Sequence, residues 1–415
     1  MNTRIPVVMV FPEDIDLLQS DVAGRPCVDY FLEHLNASEE ADARVITDSD
    51  SRSRPLFAKF KNIFECELAE FYFDNRAGQG LLVMDARASL SEVALADILA
   101  RARGATHGFR IVESSSSIVA GHREAMTLAV YVPQQHLRRD LFARAHTGRG
   151  QGIEQILSRQ AVADSDFETW PAADEAHNAM LVVSHVELAQ LERQVLLGRA
   201  IEMMKQGLRL HDPATTYIRG NLVCAAGVEI DANVIIEGDV ILGEAVKIGA
   251  HSILRNCRIG DKTSINPFSL VEQSHVGSNS FVGPYGRIRP GSVVGDNVQI
   301  GNYVEIKNSR VGDGSRINHH TFIGDATLDQ NVTIGAGTIT CNHDGFGAQQ
   351  TIIKRGAYIG SGCNLVAPLH IGENAIVGAG STIASDVPAA KLTLARPRQT
   401  TIEDWQGPKT RRQRT

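Results

Sequence analysis

Aliphatic residues recur every six positions through the second half of the chain. They stand at Ile230, Ile236, Leu242, Ile248 and Leu254, then at Val276, Val282, Ile288, Val294, Ile300 and Ile306. The pattern returns at Ile317 and Ile323, and again at Ile353, Ile359, Leu365, Ile371, Val377 and Ile383. A period of six is too long for strand alternation and fits no helix. It predicts a parallel β-helix of hexapeptides, in which each short strand points one aliphatic side chain inward. Three hexapeptides make one triangular coil in the left-handed form. The stretch "ITCNHDGFGAQQTII" (Ile339–Ile353) breaks the register and reads as a loop pushed out of the coil, where solenoids often build a binding site.

The first half reads differently. "IPVVMV", "GLLVMDA" (Gly80–Ala86) and "MTLAVYV" (Met126–Val132) are candidate strands, with helical runs such as Ser91–Arg103 between them. That alternation predicts an α/β domain. A long amphipathic helix is expected over Glu187–Gly207, just ahead of the repeats. The expected division is an α/β domain over 1–183, a linker helix over 184–210, a β-helix over 211–395 and a basic tail over 396–415 that ends "GPKTRRQRT".

The formal net charge of -7 argues against a dedicated nucleic-acid binder. No run of eighteen apolar residues predicts a membrane span, and the N-terminal apolar run is too short for a secretory signal. Six cysteines with no C-x-x-C pair suggest reduced thiols in a cytoplasmic protein.

One stretch does not suit a nucleotide-binding fold. "FPEDIDLLQSDV" (Phe11–Val22) follows the first strand, where glycines and a basic residue would normally cradle phosphate. It has no glycine, lysine or arginine, and it carries Glu13, Asp14, Asp16 and Asp21.

From about Glu187 to Gln406 the chain resembles the bacterial bifunctional N-acetylglucosamine-1-phosphate uridyltransferase / glucosamine-1-phosphate acetyltransferase family, which serves UDP-N-acetylglucosamine biosynthesis. The stretches "GLRLHDPATTYIRGN", "GVEIDANVIIEGDVILGEAVKIG", "GNYVEIKNS", "IGAGTITCNHDG", "LVAPLHIGENAIVGAGSTI" and "ARPRQT" carry the likeness. It implies a Rossmann-like nucleotidyltransferase domain followed by a left-handed parallel β-helix that transfers acetyl from acetyl-CoA. It also implies a homotrimer. The family's glycine-rich loop with its arginine is replaced here by the acidic turn, which would repel a triphosphate. Asp85 falls at the family's metal aspartate, but the partner asparagine is Val183 or Ser184. One carboxylate alone is a poor Mg²⁺ site, so Mg²⁺ is not expected and the N-terminal domain reads as degenerate.

By the same resemblance, His319 is the general base, Glu305 orients it, and Asn342 lies near the acceptor amine. Arg289 and Lys307 match ligands of a sugar phosphate. Ala336, Ser361, Ala379 and Arg396 match CoA contacts. Phe322, Thr333, His343 and Ala348 depart from the family's tyrosine, asparagine, tyrosine and lysine. Losing a hydroxyl and a cation would weaken phosphate binding by roughly 2–4 kcal/mol. His343 is a second candidate base. The expected activity is N-acetyl transfer to glucosamine 1-phosphate or a related amino-sugar phosphate. The alternatives are the same transfer to another amine, or a non-catalytic trimeric scaffold.

Overall fold

The computed structural model describes residues 4–10, 16–39, 41–46, 60–65, 80–112, 127–133, 167–171 and 180–405. The chain forms two compact units, Met1–Val195 and Leu196–Thr415. Glu13, Asp14, Cys66 and the tail "GPKTRRQRT" lie outside the described residues.

In the first unit a seven-stranded mixed sheet runs in the order Phe167–Pro171, Gly108–Val112, Thr127–Val132, Leu81–Asp85, Ile5–Val10, Ala41–Ile46, Ile63–Glu65. Ile5–Val10 lies parallel to both neighbours, and Thr127–Val132 lies antiparallel to both of its own. Leu81–Asp85 is buried throughout, as expected of a strand covered on both faces. Helices Cys27–Ala37 and Glu92–Gly104 complete the α/β layering, the second capped by the Ser91 side chain. The helix His185–Lys205 is capped by Ser184, whose Oγ accepts from Val186 N and donates to Glu187 Oε2.

The second unit is a left-handed β-helix. One face is an eleven-stranded parallel sheet from Arg209–Leu210 to Leu392–Thr393. The other two faces join into one sheet of sixteen strands, because strands such as Ile235–Leu242 run around their shared corner. All the six-spaced aliphatic residues point inward and are at most 2% exposed.

The gaps in the six-residue beat are filled as well. Ile259, Ile265, Val271, Val311, Leu328 and Ile334 continue the core, and Thr340 takes the slot before the loop. The register slips because one corner loses a residue in the steps Leu254 to Ile259, Val271 to Val276, Ile306 to Val311 and Ile323 to Leu328. Asn256, Gln273, Asn308 and Asp325 turn that shortened corner at φ between 41° and 49°. Asn and Asp tolerate this left-handed region better than most side chains. Thr340 Oγ1 meets the backbone of Gly324, accepting from its N–H at 2.7 Å, so the buried hydroxyl is satisfied.

The stack places residues seventeen or eighteen apart directly over one another. Five aromatic rings form one column on a corner: His251, Phe268, Tyr285, Tyr303 and His320, with centroids 4.8–5.0 Å apart. Burial raises the thiols of Cys27 and Cys257 to about 12, so these are inert core residues.

Ile300 is fully buried at the centre of the solenoid. Ile300→Ala should destabilise this unit by about 2–5 kcal/mol, read as a lower urea midpoint with an unchanged slope.

Candidate active site

The site is best read as columns along the β-helix. At the aromatic corner each coil contributes two residues, and backbone bonds fix their order. His320 N donates to Asn302 O, Gly337 N to His319 O, Gly362 N to Ala336 O, and Gly380 N to Ser361 O. His319, Ala336, Ser361 and Ala379 therefore stand in one column, one coil apart. Arg396 closes it, with Nη1 donating to Ala379 O at 2.9 Å. Beside it runs the ring column, and after His320 its next members are Gly337, Gly362 and Gly380. A Cβ on Gly362 or Gly380 would meet nothing within 4 Å. The rings give way to a bare, exposed trough three coils long. At about 4.8 Å per coil, His319 to Arg396 spans about 19 Å.

His319 heads this trough. Its Nδ1 meets the Oδ1 of Asn302, one coil back. An amide oxygen only accepts, so this bond favours the tautomer with the proton on Nδ1 and leaves Nε2 facing away from Asn302 as the nitrogen able to accept. The expected orienting residue, Glu305, is engaged elsewhere: it accepts from Arg289 Nη1 at 2.7 Å. In this chain the bond found on His319 comes from Asn302. An asparagine beside a tyrosine in a tight corner gave no sequence signal for this role.

On the next face a charged column alternates. Arg255 bonds Glu237 at 2.5 Å and Glu272 at 2.6 Å, and Arg219 stands beyond Glu237. The register continues to Arg289 and then Lys307, so the alternation ends on two adjacent cations. Among the described residues, no carboxylate forms an ion pair with Lys307. Two neighbouring cations suit a phosphate dianion. One coil further on is Gly324, where a Cβ would lie 2.6 Å from Phe322 Cζ. The Phe322 ring therefore lies across the bare glycine, beside Asn342.

Asn342 donates to Asp325 Oδ2 at 2.5 Å, and Asn308 donates to Asp325 Oδ1 at 2.6 Å. Burial opposes the charge on Asp325. The two amides, with Lys307 and His343 nearby, outweigh it and hold its pKa below the usual range. Asp325 is a second residue that sequence reading missed; its signal was the shortened corner.

The extruded loop turns back through a bridge between His343 and Ala348. His343 Nδ1 accepts from Gly345 N at 3.1 Å, so the neutral ring keeps its proton on Nε2. Thr333 belongs to another face, between Arg316 and Tyr358, and is not gathered with Arg289 and Asn342 in one chain.

Two family models match the chain: the GMPPB C-terminal domain over residues 218–300, and the bacterial transferase hexapeptide (six repeats) over residues 350–385. The chain is 42% identical over 287 residues to the "Bifunctional protein GlmU" of Nitrosospira multiformis, covering 69% of this chain and 62% of that protein. It is 47% identical over 227 residues to that of Ralstonia pickettii, covering 55% and 50%. The chain thus spans less than two thirds of the length of these relatives. With the protein of the same name from Aromatoleum aromaticum, it shares 40% identity over 331 residues, 78% of this chain and 72% of the relative. The chain belongs to the GlmU family. Among solved structures, the Arabidopsis UDP-N-acetylglucosamine acyltransferase matches at 16% identity and a TM-score of 0.34, covering 46% of this chain and 70% of that one. A 4-diphosphocytidyl-2C-methyl-D-erythritol synthase matches at 13% and 0.33, covering 46% and 98%.

In this GlmU-family chain Asp85, the expected metal aspartate, is bonded from within its own strand end. Asp85 ends its strand opposite Val10. Its Oδ1 accepts from Arg87 Nε at 2.9 Å and its Oδ2 from Arg87 Nη2 at 2.7 Å. Both oxygens already face a guanidinium, and Ser184 is used in the helix cap. Among the described residues no group of acids, histidines and cysteines could hold a metal ion. These residues do not fit Mg²⁺. Arg25, the basic residue after the acidic turn, pairs with Glu33 at 2.9 Å, and Asp21 accepts from Gly24 N at 2.7 Å to close a turn.

The loop has one organiser. Asp344 Oδ1 accepts from Phe346 N and Gly347 N, each at 2.8 Å. Those bonds, with Gln349, lower its pKa to about 2. A depressed carboxylate stabilises above its ordinary range and loses that contribution only as pH falls through about 2. Hydrogen exchange should show the Phe346 and Gly347 amides protected from neutral pH down to about 3, and exposed in Asp344→Ala at every pH.

Proposed function

We propose that the chain is an acetyl-CoA-dependent N-acetyltransferase acting on glucosamine 1-phosphate or a closely related amino-sugar phosphate. The observation that carries this reading is His319, held through Nδ1 by Asn302, at the head of a bare trough, with the Arg289–Lys307 pair on the next face of the same coils. The trough's length and lack of side chains suit an extended pantetheine arm, with Arg396 at the far end for a CoA phosphate. The cations suit the acceptor's phosphate. The amine attacks the thioester carbon, His319 Nε2 takes the amine proton, the C–S bond breaks, and the proton passes to the leaving thiolate. Asn342 spends one N–H on Asp325 and keeps a second for the acetyl oxygen.

Thiol release from acetyl-CoA with glucosamine 1-phosphate tests this. His319→Ala should reduce turnover about 10²–10⁴-fold while acetyl-CoA binding by calorimetry persists. Equal turnover in wild type and variant would remove His319 from the mechanism.

A second reading, the same transfer to a different amine, is favoured by Phe322. Its ring covers Gly324 without offering a hydroxyl to phosphate. Binding of acetyl-CoA with no turnover of glucosamine 1-phosphate, but turnover of another amino sugar, would select it.

We further propose that the first unit has lost uridylyl transfer, supported by the Arg87 guanidinium on Asp85 and by the acidic turn. Incubation with UTP, Mg²⁺ and N-acetylglucosamine 1-phosphate should yield no UDP-N-acetylglucosamine. Product at a rate typical of enzymes would overturn this reading.

A homotrimer is proposed as the working form, with the cytoplasm as its location. Thr333 stands on a different face from Arg289, and Tyr358, Ile376 and Leu392 make an apolar outer column at 49%, 46% and 62% exposure. Among the described residues no helix is long and apolar enough to cross a membrane.

A further inference from the structure

We infer that His320 is the end wall of the acyl site and sets the length of acyl group the protein accepts. This rests on the acyl-CoA reading above and concerns which thioester is used, not whether one is. The column that becomes the trough changes character at this residue. On one side of His320 are four stacked rings, and on the other are Gly337, Gly362 and Gly380. One face of the His320 ring is covered by Tyr303 at 4.9 Å. The coil against its other face contributes only glycine, so that face is bare.

An arm lying in the trough from Arg396 towards His319 runs parallel to the column. Its acyl group continues along the same line past the thioester carbon. The first obstacle on that line is the bare face of His320. A methyl group fits against it; each further methylene has to enter the space the ring occupies. The ring cannot swing clear easily, because the five rings are nearly parallel, tilted by 5–19° from one to the next, and each braces its neighbour.

The substitution that tests this is mild. His320 has φ +50°, a conformation glycine adopts without strain, so His320→Gly keeps the corner. It extends the glycine column by one coil, about 4.8 Å, and leaves Tyr303 as the new wall. His320→Phe keeps a ring and serves as the control.

The experiment compares kcat/KM for acetyl-, propionyl- and butyryl-CoA, read as thiol release with saturating glucosamine 1-phosphate. A methylene that does not fit a pocket costs roughly 10-fold or more. The wild type and His320→Phe should therefore favour acetyl over butyryl by at least about 10-fold. In His320→Gly the butyryl-to-acetyl ratio should rise by at least about 10-fold. An unchanged ratio in His320→Gly overturns the inference. If the wild type releases no thiol, calorimetry separates the causes. Binding of acetyl-CoA would overturn only the choice of acceptor, and the butyryl-to-acetyl affinity ratio in His320→Gly then reads the wall directly. Binding of neither thioester would overturn the acyl-CoA reading and the wall with it.

Discussion

The backbone bonds between successive coils fix which residues can meet. Successive coils bond in parallel register, so a side chain seventeen or eighteen residues away is a neighbour, or twenty-five away across the extruded loop. Sequence-distant residues become columns with a spacing of about 4.8 Å. The aromatic ladder, the charged column ending at Lys307 and the bare glycine trough all follow from that one constraint. Asn302 reaches His319 for the same reason. No loop has to fold over to build this site; the solenoid's own periodicity assembles it on a rigid frame.

That constraint also sets what can vary. An inward residue touches the core of the coils above and below, so it must stay aliphatic or, like Thr340, satisfy its own hydroxyl. An outward residue is free to change chemistry without disturbing the stack. Phe322 illustrates this: its ring lies over Gly324 while the inward Ile323 beside it is fully buried. Outward residues can therefore drift while the β-helix and the trough stay the same.

Much of this was legible in the sequence. The six-residue beat gave the β-helix, because burial forces one aliphatic residue per strand. The first-half strands at Ile5–Val10 and Leu81–Asp85 fell where the apolar runs predicted them. The register breaks were not legible, since a shortened corner changes the spacing by one while the strands on either side look ordinary. The partners of Glu305 and His319 were not legible either. Both have several polar neighbours within one coil, and only geometry decides among them. The bond that His343 accepts from the Gly345 N–H was not legible, because no side-chain pattern reveals a backbone donor. Asp85 was read as a carboxylate without a second metal ligand; its bond to Arg87, two residues away, was not part of that reading.

Arg87 explains more than a missing partner. Taking a carboxylate with 4% of its side chain exposed out of water is costly unless it is paired. Arg87 supplies the counter-charge and holds the end of the strand. Desolvation disfavours the Arg87 charge, but its bonds and attraction to Asp85 win and raise its pKa. The bond is bidentate, so a divalent ion would have to displace a guanidinium held in its best geometry. The two units owe their order to different networks: a mixed sheet in one and a stack of parallel coils in the other.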